Sequence, residues 1–150
     1  MTNSMNDLNA LASAVANAMY ARDLASQSLG MELIETRPGY ARLLMRVQQS
    51  MLNGHQTCHG GFIFALADSA FAFACNSHNR VTVAAGAAVD FLAPGRLGDQ
   101  LTATAEERTR SKRTGLYDVS VHNQNGECIA MFRGRSHQLE GNVIDTPPTT

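Results

Sequence analysis

The sequence predicts an α+β domain in which an antiparallel sheet of five to six strands wraps around one long helix. A segment from about residue 60 to residue 76 is apolar on nearly every helical face, and a helix of that kind is buried on all sides. From residue 81 onward the pattern is that of strands alone. Because a helix and a sheet must each bury an apolar surface against another layer, a curled sheet around the helix accounts for both observations.

Composition sets the broad class. The 150 residues fit a single domain over 1–150, with a core at about 5–139 and a flexible tail at 141–150. Hydrophobic residues make up 44% of the chain, which excludes global disorder, and a net charge of −1 argues against nucleic acid as a partner. Three cysteines form no disulfide framework, and no apolar run reaches the ~20 residues of a membrane span. We therefore expect a cytoplasmic protein with no membrane partner.

The elements follow in order along the chain. Apolar groups at helical spacing, ending at Gly30, predict an N-terminal helix over residues 5–29. Pro38-Gly39 marks a turn between two alternating strands, and residues 49–58 form a polar loop before the apolar helix. Asn125-Gly126 predicts a hairpin turn between the last two strands. The strands after the helix are expected at residues 81–91, 100–110, 115–123 and 127–138.

Asp68 lies in the middle of the apolar helix. An unpaired carboxylate there is costly, or its pKa rises instead. The helical neighbours three and four residues away carry no charge: Phe64, Ala65, Phe71 and Ala72. In one interpretation a hydroxyl or backbone amide from another element satisfies the carboxylate. In the other, Asp68 is a general base or nucleophile in a low-dielectric cleft.

The start of the helix, His59-Gly60-Gly61, is the second feature. Glycines at a helix N-terminus let a ligand approach the free backbone N–H groups, where the helix dipole favours negative charge. Such a place can hold an oxyanion. Alternatively, the glycines allow close packing of helix and sheet, and His59 is either a ligand contact or a histidine of the core.

The spacing of Gly60 and Asp68 limits how they can act together. They are eight residues apart, which is about 12 Å along one helix. A base and an oxyanion donor must each lie within roughly 3 Å of the reacting atoms. One helix cannot supply both, so a site that uses both is shared by two chains related by a two-fold axis. The spacing therefore predicts a homodimer.

Other functional patterns are missing from the sequence. His55, Cys58 and His59 cluster, but no second pair of ligands follows, so no metal is expected. There is no GxSxG, no GxGxxG and no P-loop. A basic run either meets the phosphates of a ligand or is a solvated strand end. Its members are Arg108, Arg110, Lys112 and Arg113.

The segment NGHQTCHGGFIFALADSAFAFACN, followed by VDFLAPGRLGD, resembles the hot dog fold acyl-CoA thioesterases. In particular it is similar to the phenylacetate-pathway thioesterase family, and the resemblance covers roughly residues 5–139. It implies the hot dog fold, with dimers that pair into a homotetramer. It implies no cofactor, because coenzyme A is part of the substrate.

The resemblance also implies roles for single residues. The family's acidic residue matches Asp68, which would activate water or attack the thioester directly. Its oxyanion-binding glycine matches Gly60, just after His59, and its loop asparagine matches Asn53, which would orient water or the acyl end. The catalytic candidates are thus Asp68, Gly60, Asn53 and His59. The substrate-binding candidates are Gly61, Phe62, Lys112 and Arg113.

One departure concerns the strand after the helix, where relatives in the wider fold often carry Ser or Thr. Here that stretch is Ala84 to Ala87, and Thr82 and Ser69 are the nearby hydroxyls. The resemblance implies hydrolysis of aromatic acyl-CoA thioesters of the phenylacetyl or hydroxyphenylacetyl type. The alternatives are a medium-chain acyl-CoA thioesterase and a non-catalytic acyl-CoA-binding module. An enoyl-CoA hydratase ranks low because no Asp is followed by His five residues later.

Overall fold

The computed structural model describes residues 4–145, which form a six-stranded antiparallel sheet around one long helix. The helices are α1 (Met5–Arg22), α2 (Leu24–Ser28) and α3 (Gly60–Asn76), and a 3₁₀ turn covers Gln49–Met51. The strands are β1 (Glu32–Arg37), β2 (Tyr40–Arg46), β3 (Thr82–Phe91), β4 (Gln100–Ser111), β5 (Thr114–His122) and β6 (Cys128–Gln138). Their order is β1-β2-β4-β5-β6-β3, so β1 and β3 are the two edges.

The inner face of the sheet is built by strict alternation. A strand turns successive side chains to opposite faces, and every second residue of β2, of β5 and of the first half of β4 is buried against α3. Many of these residues are small, which lets the helix approach the sheet closely. The buried set includes Ala41, Leu43, Met45, Leu101, Ala103, Ala105, Tyr117, Val119 and Val121. The predicted wrapped-sheet arrangement is confirmed.

The prediction of one N-terminal helix over residues 5–29 is wrong at Asp23. This residue leaves the helical conformation (φ −91°, ψ 84°) and separates α1 from α2. Its N–H donates to the Tyr20 carbonyl at 3.1 Å, which ends α1. Its carboxylate accepts the Ser26 N–H at 2.9 Å, which caps α2. Aspartate competes with the backbone for hydrogen bonds and so favours a cap over a helix interior.

The helix α3 is not buried on all sides in the single chain, contrary to the prediction. Gly61 is exposed, and Ala65, Asp68 and Ala72 are half-buried. These residues are spaced three or four apart, so they share one face of the helix. We call this set the open face of α3. The sheet therefore wraps around the other sides and leaves the carboxylate-bearing side accessible.

The C-terminal segment is held to the body of the domain, where a flexible tail was predicted from residue 141. The Asn79 amide donates to the Ile144 carbonyl at 3.0 Å and accepts the Ile144 N–H at 2.9 Å. The Val81 N–H donates to the Gly141 carbonyl at 3.0 Å. Residues 146–150, the rest of the predicted tail, lie outside the described residues. Within residues 4–145 no helix is long and apolar enough to cross a membrane.

Replacing Gly134 by alanine tests the close packing of helix and sheet. A Cβ at Gly134 of β6 would lie 2.8–2.9 Å from three atoms of the Phe71 ring, which is buried between Tyr117 and Phe132. We expect Gly134→Ala to lower the free energy of unfolding by about 1–3 kcal/mol, measured by urea denaturation. Gly54→Ala is the control, since a Cβ there meets nothing within 4 Å. Equal stability of the two variants would contradict this packing account.

Candidate active site

The loop before α3 folds around the side chain of Asn53. Its Oδ1 accepts the His55 N–H at 2.9 Å and both the N–H and the hydroxyl of Thr57 at 3.2 Å. These bonds hold the loop in place ahead of the helix. Among the described residues, nothing accepts from the Asn53 amide nitrogen. The side-chain oxygen of Asn53 therefore holds the loop, while its amide N–H groups are available to a ligand. The predicted role of Asn53 in orienting water or the acyl end stays a prediction.

His59 caps α3. Its Nδ1 accepts the Gly61 N–H at 3.0 Å, and its carbonyl accepts the Phe62 N–H at 3.0 Å. Because Nδ1 is an acceptor, the hydrogen of the neutral ring lies on Nε2. The ring is exposed and meets Phe62 edge-on with centroids 6.2 Å apart. A cap is therefore the role the geometry shows for His59, and the N–H of Gly61 is taken up by it.

This capping leaves one backbone donor at the start of the helix. The Gly61 and Phe62 N–H groups are both paired, whereas the Gly60 N–H has no acceptor within residues 4–145. It is the donor that the resemblance to the thioesterases assigned to an oxyanion. The packing interpretation also holds in part, since a Cβ on Gly60 would lie 2.9 Å from Cζ of Phe91. Glycine at this position therefore keeps the Phe91 ring close to the free N–H.

A cavity of about 550 Å³ with both polar and apolar surface opens beside Gly60. This volume falls in the usual range of ligand sites, roughly 300–1,000 Å³. Its walls come from the loop, α3 and the end of β3: Thr57, Cys58, Gly60, Ile63, Phe91, Leu92, Ala93 and Pro94. The sequence analysis missed Phe91 and Leu92 as site residues. In the sequence, the pattern that could have pointed to them is an apolar pair at the end of a strand, just before a Pro-Gly turn. In the structure, Phe91 is 53% exposed and Leu92 is 58% exposed.

The Asp68 carboxylate is half-buried on the open face of α3. Burial raises its pKa above the ordinary value. No hydroxyl, amide or cation among the described residues bonds to it, so the chain itself does not satisfy the carboxylate as the structural interpretation requires. The neighbouring hydroxyl of Ser69 bonds to Ser26 at 3.1 Å, and that of Thr82 donates to the Arg80 carbonyl at 2.8 Å. The unpartnered carboxylate favours the functional interpretation.

The structure groups the predicted site residues in three places along α3. Asn53, His59, Gly60, Gly61 and Phe62 lie together at its start. Asp68 lies at its middle, about 12 Å along the axis from Gly60 at 1.5 Å per residue. Lys112 and Arg113 lie in the exposed β4–β5 turn, near the end of the helix. A single chain therefore does not bring the oxyanion donor and the carboxylate to one carbonyl group.

Two further cations join Lys112 and Arg113. Arg80 and Arg110 line the same recess at the C-terminal end of α3. Arg110 also faces the Glu107 carboxylate at 3.6 Å, whereas Arg80 bonds to the Asn142 side chain at 3.3 Å. The sequence analysis missed Arg80 as a member of this basic group because it is distant along the chain and stands outside the 108–113 run.

Within residues 4–145 no three side chains of His, Cys, Asp or Glu are grouped as metal ligands. Burial, with a smaller contribution from Asp99, raises the pKa of the Cys58 thiol to about 11. The thiol is therefore protonated near neutral pH, and a thiol in that state is neither a metal ligand nor a nucleophile.

Comparison with known proteins identifies the family. The family described as the thioesterase superfamily matches residues 55–130, which include all of α3. Acyl-coenzyme A thioesterase PaaI of Escherichia coli K12 is 48% identical over 128 residues, covering 85% of this chain and 91% of that protein. The chain belongs to the thioesterase superfamily. The predicted enzyme class, a thioester hydrolase, is confirmed.

Solved thioesterase structures give the same fold. The E. coli PaaI protein from the phenylacetic acid degradation operon superposes with a TM-score of 0.89 at 47% identity, covering 90% of this chain and 98% of that one. A hypothetical thioesterase of Streptococcus pneumoniae TIGR4, solved with coenzyme A, gives a TM-score of 0.72 at 25% identity, with 75% and 90% coverage. The predicted hot dog fold is confirmed.

The raised pKa of Asp68 predicts how the stability of this thioesterase depends on pH. A carboxyl group with a higher pKa in the folded protein than in the unfolded chain destabilises the folded state at any pH where the group is ionised in both. The destabilisation caused by Asp68 therefore grows as the pH rises from below about 3.9, the pKa of aspartate in the unfolded chain, to above the raised pKa in the folded protein. We expect Asp68→Asn to gain stability relative to wild type over that rise, measured by urea denaturation between about pH 3 and pH 7.

Asp118→Asn is the control with the opposite sign. Hydrogen bonds from Arg133 and then Arg108 hold the pKa of Asp118 below its ordinary value. Such a carboxylate stabilises the folded state at pH values above the pKa that it has in the unfolded chain. This stabilisation is lost as the pH falls through the lower pKa that it has in the folded protein. The Asp118→Asn variant should therefore lose stability relative to wild type as pH rises. A constant difference between Asp68→Asn and wild type at all pH values would contradict the assigned shift.

Proposed function

We propose that this thioesterase hydrolyses acyl-CoA thioesters with an aromatic acyl group, phenylacetyl or hydroxyphenylacetyl, in phenylacetic acid degradation. The observation that carries the proposal is the unpartnered, half-buried Asp68 carboxylate on the open face of α3. The relative from E. coli supports the coenzyme A part, since its name is acyl-coenzyme A thioesterase. Its place in a phenylacetic acid degradation operon supports the aromatic part.

The proposed reaction uses Asp68 and Gly60 at one carbonyl group. Asp68 accepts a proton from water while the water oxygen attacks the thioester carbonyl carbon. The Gly60 N–H donates to the oxyanion that develops on the carbonyl oxygen. When the C–S bond breaks, the proton held by Asp68 passes to the coenzyme A sulfur. The products are the free acid and coenzyme A. Direct attack by the Asp68 carboxylate, followed by hydrolysis of the resulting anhydride, requires the same two groups.

A homodimer is part of this proposal. Two groups about 12 Å apart on one helix serve a single carbonyl only if a second chain supplies one of them. The edge strand β3 is exposed over most of its length, and the apolar side chains of Val83 and Phe91 on it are 43% and 53% exposed. An edge with such residues is a natural place for pairing with another strand. Pairing of dimers into a homotetramer stays a prediction of the resemblance.

The two ends of the substrate are proposed to occupy different regions. The cavity beside Gly60, with the side chains of Ile63 and Phe91 on its wall, suits the acyl group. The basic group at the other end of α3 suits the phosphates of coenzyme A. This group contains the predicted Lys112 and Arg113. The proposed location is the cytoplasm, in keeping with the free cysteines Cys58, Cys75 and Cys128.

Thiol release from a panel of acyl-CoA substrates tests the proposed function. We expect kcat/KM for phenylacetyl-CoA and hydroxyphenylacetyl-CoA to exceed the value for medium-chain aliphatic substrates. A preference for the aliphatic series would instead identify a medium-chain thioesterase. Binding without thiol release would identify a non-catalytic acyl-CoA-binding module.

A pair of substitutions at Gly60 tests the oxyanion donor. Gly60 is the first residue of α3, a position that proline tolerates, and His59 already has the conformation that precedes proline (φ −59°, ψ 132°). Gly60→Pro removes the N–H, whereas Gly60→Ala keeps it and adds the same Cβ next to Phe91. We expect Gly60→Pro to lower kcat roughly 10²–10³-fold and Gly60→Ala to lower it much less. Equal kcat values for the two variants would remove the N–H from the mechanism.

Mixed dimers test whether the site is shared. Asp68→Asn and Gly60→Pro chains are each expected to be nearly inactive, but a heterodimer of the two rebuilds one intact site of two. With random pairing half of the dimers are mixed, so roughly a quarter of wild-type activity should return if the sites are independent. Co-expression with two different tags allows the heterodimer to be isolated and assayed. The shared site would be contradicted by an inactive heterodimer. It would also be contradicted if active wild-type protein were a monomer by light scattering, since Gly60 and Asp68 would then act within one chain.

A further inference from the structure

An exposed aromatic ring stands next to the free N–H of Gly60. A Cβ on Gly60 would lie 2.9 Å from Cζ of Phe91, 3.3 Å from Cε1 and 3.4 Å from Cε2. These three atoms form the outer end of the ring, so the ring points end-on at the start of α3. Phe91 is nevertheless 53% exposed, and it lines the cavity beside Gly60. Much of the ring is therefore available to a molecule in that cavity.

The backbone around Phe91 is held by β6. Phe91 is paired with Ala130 in the antiparallel ladder between β3 and β6. The next two N–H groups, those of Leu92 and Ala93, both donate to the carbonyl of Ile129, at 2.8 and 3.3 Å. Ile129 is fully buried, so these bonds tie the end of β3 to the core of the domain. The ring of Phe91 thus stands on a fixed support, which is what a side chain needs in order to discriminate between ligands.

The other aromatic rings near the start of α3 have partners within the chain. Phe62 meets the His59 ring edge-on with centroids 6.2 Å apart, and Phe64 packs against Phe132 at 5.3 Å. Neither Phe62 nor Phe64 lines the cavity. Among the described residues, Phe91 is the aromatic side chain that this cavity presents to a ligand.

We propose that Phe91 selects acyl groups that carry an aromatic ring, an inference that rests on the proposed hydrolysis. With the thioester oxygen held by the Gly60 N–H, the acyl chain begins beside the outer end of the Phe91 ring. One methylene separates the carbonyl from the ring in a phenylacetyl group, so the ring centre lies within about 4 Å of the carbonyl carbon at about 1.5 Å per bond. The centroids of interacting aromatic rings are about 4.5–7 Å apart. The acyl ring can therefore contact Phe91 while the carbonyl stays at the Gly60 N–H.

This contact distinguishes an aromatic ring from a saturated ring of similar size. The electron-rich face of one aromatic ring attracts the electron-poor edge of another, and this attraction adds to the effect of burying apolar surface. A cyclohexyl ring fills a similar volume but has neither the electron-rich face nor the electron-poor edge. A comparison of phenylacetyl-CoA with cyclohexylacetyl-CoA therefore separates the aromatic contact from simple filling of the cavity.

Steady-state kinetics of Phe91→Leu with these two substrates tests the proposal. We expect the ratio of kcat/KM for phenylacetyl-CoA to kcat/KM for cyclohexylacetyl-CoA to fall roughly two- to tenfold relative to wild type. The two substrates differ in hydrophobicity and reactivity, but these differences are common to both enzymes and cancel in the comparison. Hydrolysis of cyclohexylacetyl-CoA should change much less, because leucine keeps the wall of the cavity apolar.

Tyr40→Leu is the matched control. It also replaces an aromatic ring by leucine, but Tyr40 lies at the start of β2, where the Arg37 guanidinium covers its ring at 3.7 Å. The ratio of the two kcat/KM values should stay at the wild-type level in this variant.

The possible failures are distinguishable. An unchanged ratio in Phe91→Leu overturns the proposal. An equal loss of kcat/KM with both substrates also overturns it, because Phe91 would then support the start of α3 without selecting the acyl group. If the wild-type enzyme hydrolyses neither substrate, the proposed function itself fails.

Discussion

The fixed rise of α3 is the constraint on which the site depends. A helix advances about 1.5 Å per residue, so Gly60 and Asp68 stay about 12 Å apart along the helix axis however the rest of the chain packs. The sheet wraps around the helix but leaves its open face accessible. The same helix therefore presents two chemical groups that one chain cannot use together, and this turns assembly into a requirement of the proposed chemistry.

Close packing on the other side fixes the helix against the sheet. The inner face of the sheet is rich in small residues, such as Ala103 and Ala105, which are fully buried. Gly134 gives the Phe71 ring room against β6, where a Cβ would come within 2.8 Å of it. Small side chains bring backbone and helix together, and the aromatic rings fill the remaining volume. A rigid helix in turn fixes where Asp68 stands relative to any second chain.

Most polar groups around the site form hydrogen bonds within the chain, so the groups that form none are informative. His59 takes the Gly61 N–H, and Asn53 Oδ1 takes three donors from the loop. After these bonds, the described residues leave the Gly60 N–H and the Asp68 carboxylate without partners. A donor and an acceptor with no internal partner cost free energy in a buried setting, so both fit groups reserved for a ligand.

Local sequence patterns determined α3, the alternating strands and the candidates Asp68 and Gly60, because hydrophobic period and helix-start chemistry are properties of neighbouring residues. The tertiary structure decided the rest. It broke the N-terminal helix at Asp23, tied residue 144 back to Asn79, and placed Phe91 beside Gly60. Each of these outcomes depends on side chains that meet only after folding, so no pattern of adjacent residues encodes it. The half-buried position of Asp68 is of the same kind, since it is set by where the curled sheet stops.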